Sequence, residues 1–430
     1  MCITQRIGIS ILILLAALSV FAEEVIEIGP PAGSPDATFA QIQNAIDNNP
    51  GALLRMQAGT YDIGAHWLTV RHGITVEGVT DADGNLLTTV QGEDWIFHVR
   101  ATGDYAEDDI TLRHLHVHSF YFEVIVHAPF DFSTNSWLSG GGDLTIEECE
   151  ITNDRLFSIW SVGVDGGSFC LRDSRIISSG NDAVRLENGS YRSVDISGNV
   201  IQSPFSGVEI VNFPGALPAN SRSGPAYVVG NEIRAAFSGA LQASIEVIRP
   251  NGPAFVMDNI LDVRQGKYGL VWDSGEDRKS AHVVGNTFVG GDNDDGDLRV
   301  GVFFFSIFSP FQTGAKTVLF ADNRFSGWWS WGVLVEDSSE NNVFLHNDFT
   351  EADVAPSDAY GGGVHWAFNP FRGHSSHNSV TDNSGVEQSY EDLGTHNHFQ
   401  GTSFLPAQAV GPHDGPAWIP AEEDEAVLPH

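Results

Sequence analysis

The chain repeats one short pattern of hydrophobic and polar positions. In each copy, a run of β-branched or aromatic residues precedes a small or polar residue, an asparagine and then an apolar residue two positions later. The clearest copies are VDISGNVI (194–201), AYVVGNEI (226–233), AFVMDNIL (254–261), AHVVGNTF (281–288), VLFADNRF (318–325) and NVFLHNDF (342–349). Successive asparagines are 24 to 37 residues apart, and self-similarity at such a period indicates a solenoid.

The type of solenoid follows from the residues of the repeat. Strand-forming runs alternate with turn residues, and no helical periodicity lies between them, which favours coils built of β-strands alone. One such coil cannot bury its own apolar face, whereas stacked coils bury a continuous core. We expect the asparagines to occupy tight bends, because asparagine tolerates left-handed backbone, and to hydrogen-bond to one another along the stack. The pattern therefore predicts a parallel β-helix.

The repeat also resembles that of right-handed parallel β-helix proteins, the pectate-lyase-like superfold. Weaker copies extend it in both directions: ITLRHLHV (110–117), LTIEECEI (144–151), FCLRDSRI (169–176), HNSV (377–380) and HNHF (396–399). The resemblance implies an all-β, right-handed solenoid over most of the chain. This fold hosts many functions, so the resemblance does not supply one activity.

A short helix is predicted before the first coil. Residues 36–47 are amphipathic: Phe39, Ile42 and Ile46 share one face, and Asp36 can cap the N-terminus. The helix and the strand that follows resemble the beginning of pectate-lyase-like chains. We expect this helix to cover the open end of the first coil, which would otherwise expose apolar side chains and unpaired strand edges.

The two ends of the chain differ from the repeats. Residues 1–22 have the pattern of a secretory signal peptide, with Arg6 before an apolar run and small residues at Val20 and Ala22. No later stretch is long and apolar enough to span a membrane. The sequence thus predicts a signal peptide (1–22), a β-helix with its cap (23–404) and an acidic, proline-rich tail (405–430), in a secreted or periplasmic protein.

The charge balance narrows the choice of ligands. There are 21 lysines and arginines against 56 aspartates and glutamates, and the formal net charge is −35. Nucleic acid is excluded, since phosphate binding requires a basic surface. A polyanionic sugar would be repelled unless a cation or a local basic patch intervened. The same acidity also suits a secreted protein in salt water. The sequence does not define an oligomeric state.

A second set of strands lies between the repeats, and its alternation predicts which side chains face outward. The predicted inward residues are Val184, Val208, Ile245, Leu270, Val302, Val333 and Val364. One outward column is predicted to contain Arg185, Glu209, Glu246, Val271, Phe303, Leu334 and His365. A second contains Glu187, Val211, Ile248, Asp273, Phe305, Glu336 and Ala367.

The outward columns contain the first candidate site. Arg185, Glu187, Glu209 and Glu246 are predicted to be neighbours on one strand face. Clustered carboxylic acids with one arginine suit acid–base catalysis on a glycosidic bond or a uronic-acid proton, because crowded carboxyls raise one another's pKa. The resemblance implies a site on such an exposed strand face. The alternative is an ordinary charge ladder that solvates the solenoid.

The sequence also offers two candidate cation sites. In RHLHVH (113–118), alternation places His114, His116 and His118 on one outer side, where an H-x-H pair can bind a metal; a hydrated or catalytic histidine row is the alternative. The acidic turns 80–85 and 290–297 place several aspartates around a glycine, which suits calcium, although neither has the spacing of a calcium loop.

Aromatic residues of the later coils are candidates for substrate binding. Phe303 and Phe305 are predicted to project outward, with Trp328 and Trp329 nearby, and flat rings can stack on sugars. His365 continues the same outward column. Packing of loops is the equally favoured alternative.

Three hypotheses for function follow. The first is a carbohydrate-active lyase, epimerase or hydrolase that binds a polysaccharide along the outer strand face. The residues after GND (180–182) lack the paired aspartates and the Gly-His-Gly that polygalacturonases have. The second is a non-catalytic periplasmic or surface protein that binds metal or a protein partner, because residues 331–349 resemble the repeat protein of nitrous-oxide reductase maturation. A purely structural repeat protein is the third.

Overall fold

The structure is a computed structural model. It describes residues 24–105, 108–131, 136–213, 223–236, 243–274, 281–292, 299–304, 315–335, 339–354, 364–366, 368–369, 373–374, 377–384, 391–392 and 398–400. The predicted signal peptide (1–22) and acidic tail (405–430) lie outside these residues, and both stay predictions.

The described strands form three long parallel sheets, which wind into about ten turns of a right-handed β-helix. Sheet A contains Val25–Ile28, Leu53–Met56, Ile74–Glu77, Asp109–Arg113, Asp143–Glu147, Ser168–Arg172, Ser193–Ser197, Ala226–Val229, Ala254–Met257, Ala281–Val284, Val318–Ala321, Val343–Leu345, Ser379–Thr381 and His398–Gln400. Sheet B contains Gly59–Asp62, Thr88–Gly92, His116–Ser119, Glu150–Asn153, Arg175–Ser178, Val200–Ser203, Glu232–Ala235, Ile260–Asp262, Thr287–Val289, Arg324–Trp329 and Asp348–Val354. Sheet C contains Leu68–Val70, Phe97–Val99, Ile125–His127, Ile159–Val162, Val184–Glu187, Val208–Val211, Ala243–Ile248, Tyr268–Asp273, Val300–Phe304, Trp331–Val335, Val364–Trp366 and Glu391–Asp392.

Several short elements decorate the coils. A 3₁₀ turn spans Gly103–Tyr105. Three small antiparallel pairs join Phe130–Asp131 to Ser136–Trp137, Ala101–Thr102 to Gly140–Gly141, and Phe368–Asn369 to Gly373–His374. In the described residues no helix is long and apolar enough to cross a membrane.

The predicted N-terminal helix is present and spans Pro35–Asn48 (α1). Ile42 and Ile46 are fully buried against the first coil, as the apolar face predicts. The predicted cap residue is wrong, because Ser34 caps the helix: its hydroxyl accepts a hydrogen bond from the amide of Ala37 at 3.3 Å. Ser34 precedes a proline, which is itself favoured in the first turn.

The register of sheet C confirms the first predicted outward column, and it confirms the second from Glu187 to Asp273. The remaining members of the second column, Phe305, Glu336 and Ala367, lie outside the described residues. Arg185 pairs with Glu209, Glu209 with Glu246 and Glu246 with Val271. The column continues through Phe303, Leu334 and His365. The predicted inward residues Val184, Val208, Ile245, Leu270, Val302 and Val333 are all fully buried in one continuous core. The side chain of Val364 is outside the described residues.

The asparagines form the ladder that the repeat predicts. From Asn199 onward each side-chain amide donates to the Oδ1 of the next asparagine, at 2.8 to 3.0 Å, through positions 199, 231, 259, 286, 323, 347 and 383. The left-handed residue, however, is the one before the asparagine: Gly198 and Gly230 have φ near 66°, and Asp258 has φ 55°. This explains why glycine, aspartate or histidine precedes the asparagine in the repeat.

Candidate active site

The outer surface of sheet C is covered over much of its length, and partly exposed side chains remain at Trp160, Arg185 and Glu187. Buried and partly exposed side chains alternate in Ser193–Ser197 of sheet A and Glu150–Asn153 of sheet B. In sheet C every residue of Val208–Val211, Ala243–Ile248 and Tyr268–Asp273 is buried. The outward side chains of these strands are therefore removed from water, and they include ionisable groups.

The four predicted catalytic residues come together here with a fifth. Nε of Arg185 lies 2.9 Å from Oε2 of Glu187, and Nη1 lies 3.0 Å from Oε2 of Glu209. Glu246 is the strand neighbour of Glu209. Asp182 adds another carboxyl, with Oδ2 3.5 Å from Nη1 of Arg185. We call Asp182, Arg185, Glu187, Glu209 and Glu246 the acid–arginine cluster.

The turns that precede the sheet C strands hold the carboxyls in place. Asp182 lies in one such turn, and its Oδ1 accepts the amide of Ser206 from the next turn at 2.9 Å. The hydroxyl of Ser206 donates to Oε1 of Glu246. The same oxygen accepts the amide of Ala243 at 3.1 Å. Because Oε1 of Glu246 accepts both bonds, Oε2 is the oxygen available to carry a proton.

The cluster retains protons at neutral pH. Burial raises the pKa of Glu246 to about 8; the negative charge of Asp182 adds to the shift, and the hydrogen bond from Ser206 partly opposes it. Burial also raises the pKa of Glu209 well above its ordinary value, with Arg185 opposing and Glu246 adding to the rise. The neighbouring carboxyl of Asp182 adds to the rise in the pKa of Glu209.

Arg185 is already engaged by the protein's own acids. Its side chain is only 20% exposed, contacts Asp182, Glu187 and Glu209, and lies 5.2 Å above the ring of Phe157. The contact between Nη1 of Arg185 and Oε2 of Glu209 does not have hydrogen-bond geometry, so the attraction between the two groups is mainly coulombic. The guanidinium therefore holds negative charge within the cluster.

This arrangement does not fit a charge ladder that solvates the surface. Glu209 and Glu246 are 7% and 6% exposed, and one guanidinium is shared among four carboxyls. Burying ionisable groups with too few countercharges costs free energy, and folded proteins concentrate such costs at functional sites. A buried acid with a raised pKa beside an ionised acid is a chemical arrangement for proton transfer.

The aromatic residues predicted to bind substrate are not placed as expected. Phe303 is 3% exposed and stacks on Tyr268 with ring centres 5.5 Å apart, so the prediction that it projects into solvent is wrong. Trp329 is fully buried as well. The cause is a second apolar cluster, which covers sheet C at this level. Phe305 and the side chain of His365 lie outside the described residues.

The predicted histidine metal site is not assembled. His116 and His118 lie side by side on sheet B, and each has a ring nitrogen within hydrogen-bond distance of Thr152 Oγ1, at 3.2 and 2.7 Å. His114 is separated from them, because it lies at a bend with φ 56° and contacts Glu148 at 2.6 Å. Among the described residues, no group of three histidine, cysteine or acidic side chains could hold a metal.

His127, on the strand that follows, is also unsuited to a surface metal site. It is fully buried between the carbonyl of Gly141 at 2.8 Å and the hydroxyl of Ser161 at 3.0 Å, and burial lowers its pKa to about 4. This histidine is a neutral core residue.

The acidic turn 80–85 uses its carboxylate internally. Oδ1 of Asp81 accepts the amides of Asp83 and Asn85, both at 2.9 Å, and Oδ2 accepts the side chain of Asn85. These bonds close the turn without a cation. Most of the other turn, 290–297, lies outside the described residues, so calcium stays a prediction there.

Sequence reasoning missed Asp182, Ser206, Phe157 and Trp160 as members of the site. Asp182 and Phe157 each lie two positions before an inward-facing strand residue, and Ser206 holds the equivalent position in the coil after Asp182. These three turn residues form a third column, which lies before the strands. The alternation of side chains within the strands does not reveal it. Trp160 pairs with Arg185 in register and could have been found by extending the outward column one coil upstream.

Comparison with known proteins shows similarity to solved structures only. No family profile matches the sequence, and no curated protein matches it. Among solved structures, the chain is similar to the Azotobacter vinelandii mannuronan C-5 epimerase A-module, with 16% identity over 92% of this chain and 99% of the other (TM-score 0.44).

Two further solved structures are similar over most of the chain. The DFA-IIIase from Arthrobacter chlorophenolicus A6 has 12% identity over 86% of this chain and 98% of that protein (TM-score 0.48). PfbA, a surface adhesin of Streptococcus pneumoniae, has 11% identity over 85% of this chain and 87% of its own (TM-score 0.41). At these identities the similarity concerns the fold alone.

Proposed function

We propose that this protein is a polysaccharide-processing enzyme that hydrolyses a glycosidic bond on the outer face of sheet C. The observation that supports the proposal is the acid–arginine cluster, in which a buried protonated acid lies beside further carboxyls. Glycoside hydrolysis needs one carboxylic acid to protonate the leaving oxygen and a second carboxylate to act on the opposite side of the sugar. Export of such an enzyme, as a secreted or periplasmic protein, stays a prediction from residues 1–22.

The contacts assign different roles to the acids. Glu246 is the general acid, since it holds its proton at neutral pH and has one oxygen without a backbone or serine partner. Glu187 is the base or nucleophile, since it accepts hydrogen bonds from Arg185, Trp160 and Asn188 and is 17% exposed at its side chain. Arg185 and Glu209 determine the charge of the region between Glu246 and Glu187.

Hydrolysis is favoured over the lyase and epimerase alternatives by the state of Arg185. Both of those reactions remove a proton next to a uronate carboxylate, whose charge the site must neutralise. Arg185 is the cation of the cluster, and its contacts already go to three of the protein's own carboxyls. A net charge of −35 adds a long-range repulsion against a polyuronate.

A depolymerisation screen tests this proposal. Purified protein is incubated with neutral glycans and with polyuronates, and new reducing ends and unsaturated-uronide absorbance are both measured. We expect reducing ends without unsaturated products, and a loss of 100-fold or more in Glu246→Gln. Glu150→Gln, which changes a partly exposed acid on sheet B paired with Arg175, is the matched control and should keep full activity. Unsaturated uronides, or equal activity in the two variants, would contradict the proposal.

A further inference from the structure

An aromatic surface adjoins the acid–arginine cluster on its N-terminal side. It consists of Trp137, Phe157 and Trp160, which we call the aromatic subsite. We propose that a neutral sugar ring stacks in this subsite, next to the acid–arginine cluster. The inference rests on the proposed function, since it assigns the position and the chemical class of a bound sugar at that same site.

Trp160 and Phe157 connect the subsite to the cluster. Trp160 is the register partner of Arg185 in the neighbouring strand, and its indole N–H donates to Oε2 of Glu187 at 3.3 Å. The ring of Phe157 is 6.0 Å from that of Trp160, and Arg185 lies 5.2 Å from the centre of the Phe157 ring. Both rings are half-buried, so part of each is open to a ligand. A sugar on these rings would lie within one coil of Glu187, because adjacent coils are roughly 4.8 Å apart.

Trp137 supplies the exposed ring of the subsite. It lies in the short antiparallel pair with Phe130, whose ring is 5.1 Å away, and it is 56% exposed. The ring rests on Gly163, where an added Cβ would lie 2.6 Å from Cζ3 of the tryptophan. Gly163 has φ 66° and donates its amide to the carbonyl of Glu187 at 3.0 Å. The indole is therefore fixed next to the strand that carries the proposed base.

The opposite side of the cluster is closed by apolar packing. Beyond Glu246 the outward column continues with Val271, Phe303 and Leu334, which are 0 to 3% exposed. They pack with Tyr268 into the second apolar cluster. On the N-terminal side the column contains the half-buried Trp160, and the next residue, Val126, is again fully covered. The open surface beside the cluster is therefore limited to the partly exposed rings of the aromatic subsite.

Trp137 is the most exposed large aromatic side chain among the described residues, at 56%. Tyr227, the exposed ring used for comparison below, lies on sheet A, away from this face.

Charge selects the class of sugar. The charged groups beside the subsite are the carboxyl of Glu187, which accepts the indole N–H of Trp160, and the guanidinium of Arg185 over the ring of Phe157. The contacts of that guanidinium already go to Asp182, Glu187 and Glu209. Carboxylates bind hydroxyl donors and repel uronates or sulfated sugars, whereas indole and phenyl faces pack on the C–H face of a neutral hexose or pentose. The chemistry of the subsite therefore fits a neutral glycan.

Binding is measured on Glu246→Gln protein, so that turnover does not consume the ligand. Neutral hexasaccharides of glucose, mannose, galactose and xylose, and oligogalacturonate of equal length, are titrated calorimetrically. We expect at least one neutral series to bind, Trp137→Ala to weaken that binding roughly tenfold or more, and Trp137→Phe to retain most of it. Tyr227→Ala, the matched loss of an exposed ring on sheet A, should change affinity less than twofold. Circular dichroism checks that each variant is folded.

Several results would overturn the inference: binding of oligogalacturonate in preference to every neutral series, no binding of any neutral series, or equal affinity of Trp137→Ala and Tyr227→Ala. Its failure can be distinguished from failure of the proposed function. Cleavage that is lost in Glu246→Gln, with an unchanged KM in Trp137→Ala, leaves the hydrolase and removes the subsite. Trp137-dependent binding without any cleavage by the wild-type protein leaves the subsite and removes the hydrolase.

Discussion

At the scale of single residues, the ionisation of Glu246 makes stability depend on pH, and in the proposed function it makes activity depend on pH as well. The residue is 6% exposed, and its carboxyl is held by Ser206 and the amide of Ala243. The folded protein keeps a proton on it up to about pH 8, whereas an unfolded chain releases that proton near the ordinary value of 4.5. A group of this kind favours the folded state less and less as the pH rises between these two values.

Relative to the wild-type protein, Glu246→Gln should gain about 3 kcal/mol of stability between pH 5 and pH 8, because glutamine keeps the hydrogen bonds but never ionises. Urea unfolding at the two pH values measures this change. Glu150→Gln, at an exposed pair on sheet B, should show no such dependence. A stability difference that is the same at pH 5 and pH 8 would mean that Glu246 ionises normally.

The wild-type enzyme should also lose hydrolytic activity as the pH rises through about 8, because the general acid must carry its proton to protonate the leaving oxygen. The dependence of kcat/KM on pH measures this alkaline limb. A rate that stays constant well above pH 8 would exclude Glu246 as the acid.

Arg185 has the opposite influence on the same cluster. We expect Arg185→Met to lower the free energy of unfolding by about 3 to 5 kcal/mol at pH 7.5, because the neighbouring acids lose their cation. The loss should shrink at pH 4.5, where the acids take up protons. Chemical unfolding at both pH values is the measurement, with Arg175→Met as the exposed control, which should cost less than about 1 kcal/mol. Equal losses for the two arginines would contradict this account.

At the scale of the elements, the asparagine ladder fixes the bends after seven sheet A strands, from Ser193–Ser197 to Ser379–Thr381. The side chain of Asn259 makes four hydrogen bonds: its amide donates to the carbonyl of Val228 and to Asn286, and its Oδ1 accepts both the backbone and the side-chain N–H of Asn231. All of these groups are buried, so the loss of one asparagine leaves several polar atoms without partners.

Asn259→Ala should therefore lower the free energy of unfolding by about 3 kcal/mol, or prevent folding at elevated temperature. Thermal and urea unfolding measure the effect. Asn48→Ala, at the exposed end of α1, is the control and should cost less than about 0.5 kcal/mol. A similar small cost at both positions would show that the ladder does not stabilise the coils.

At the scale of the whole molecule, acidity and shape act together. The protein carries a formal net charge of −35, so its folded state experiences self-repulsion that salt screens. The stacked coils present long faces, and among the described residues the outer face of sheet C is covered by apolar packing beyond Glu246, while Phe157 and Trp160 beside the acid–arginine cluster are half-buried. A neutral ligand avoids the repulsion that the net charge exerts on a polyanion.

We expect the melting temperature to rise by several degrees between 10 mM and 500 mM sodium chloride, because screening weakens the repulsion among acidic side chains. Binding of a neutral glycan should change little over the same range, since no ligand charge is screened. Calorimetry measures both quantities. A melting temperature that falls with salt would indicate that ion pairs, rather than net repulsion, dominate.

The sequence by itself determined the coils, the asparagine ladder and the columns of sheet C. These depend on period: side chains alternate along a strand, and a repeat of fixed composition stacks in register. The alignment of Arg185, Glu209 and Glu246 therefore follows from the spacing of the repeats, and the strand pairing of sheet C confirms it. Local alternation carries this information because each coil contacts only its neighbours.

The tertiary structure alone decided which outward faces are covered and what the turns contribute. Alternation gives the direction of Phe303 but not the apolar cluster that buries it, and it gives His114 an outer position but not the bend that separates it from His116. The meeting of Asp182 with Glu209, and of Trp137 with Gly163, joins residues of different coils through turns of irregular length. Contacts of this kind depend on loop geometry, which no periodic pattern encodes.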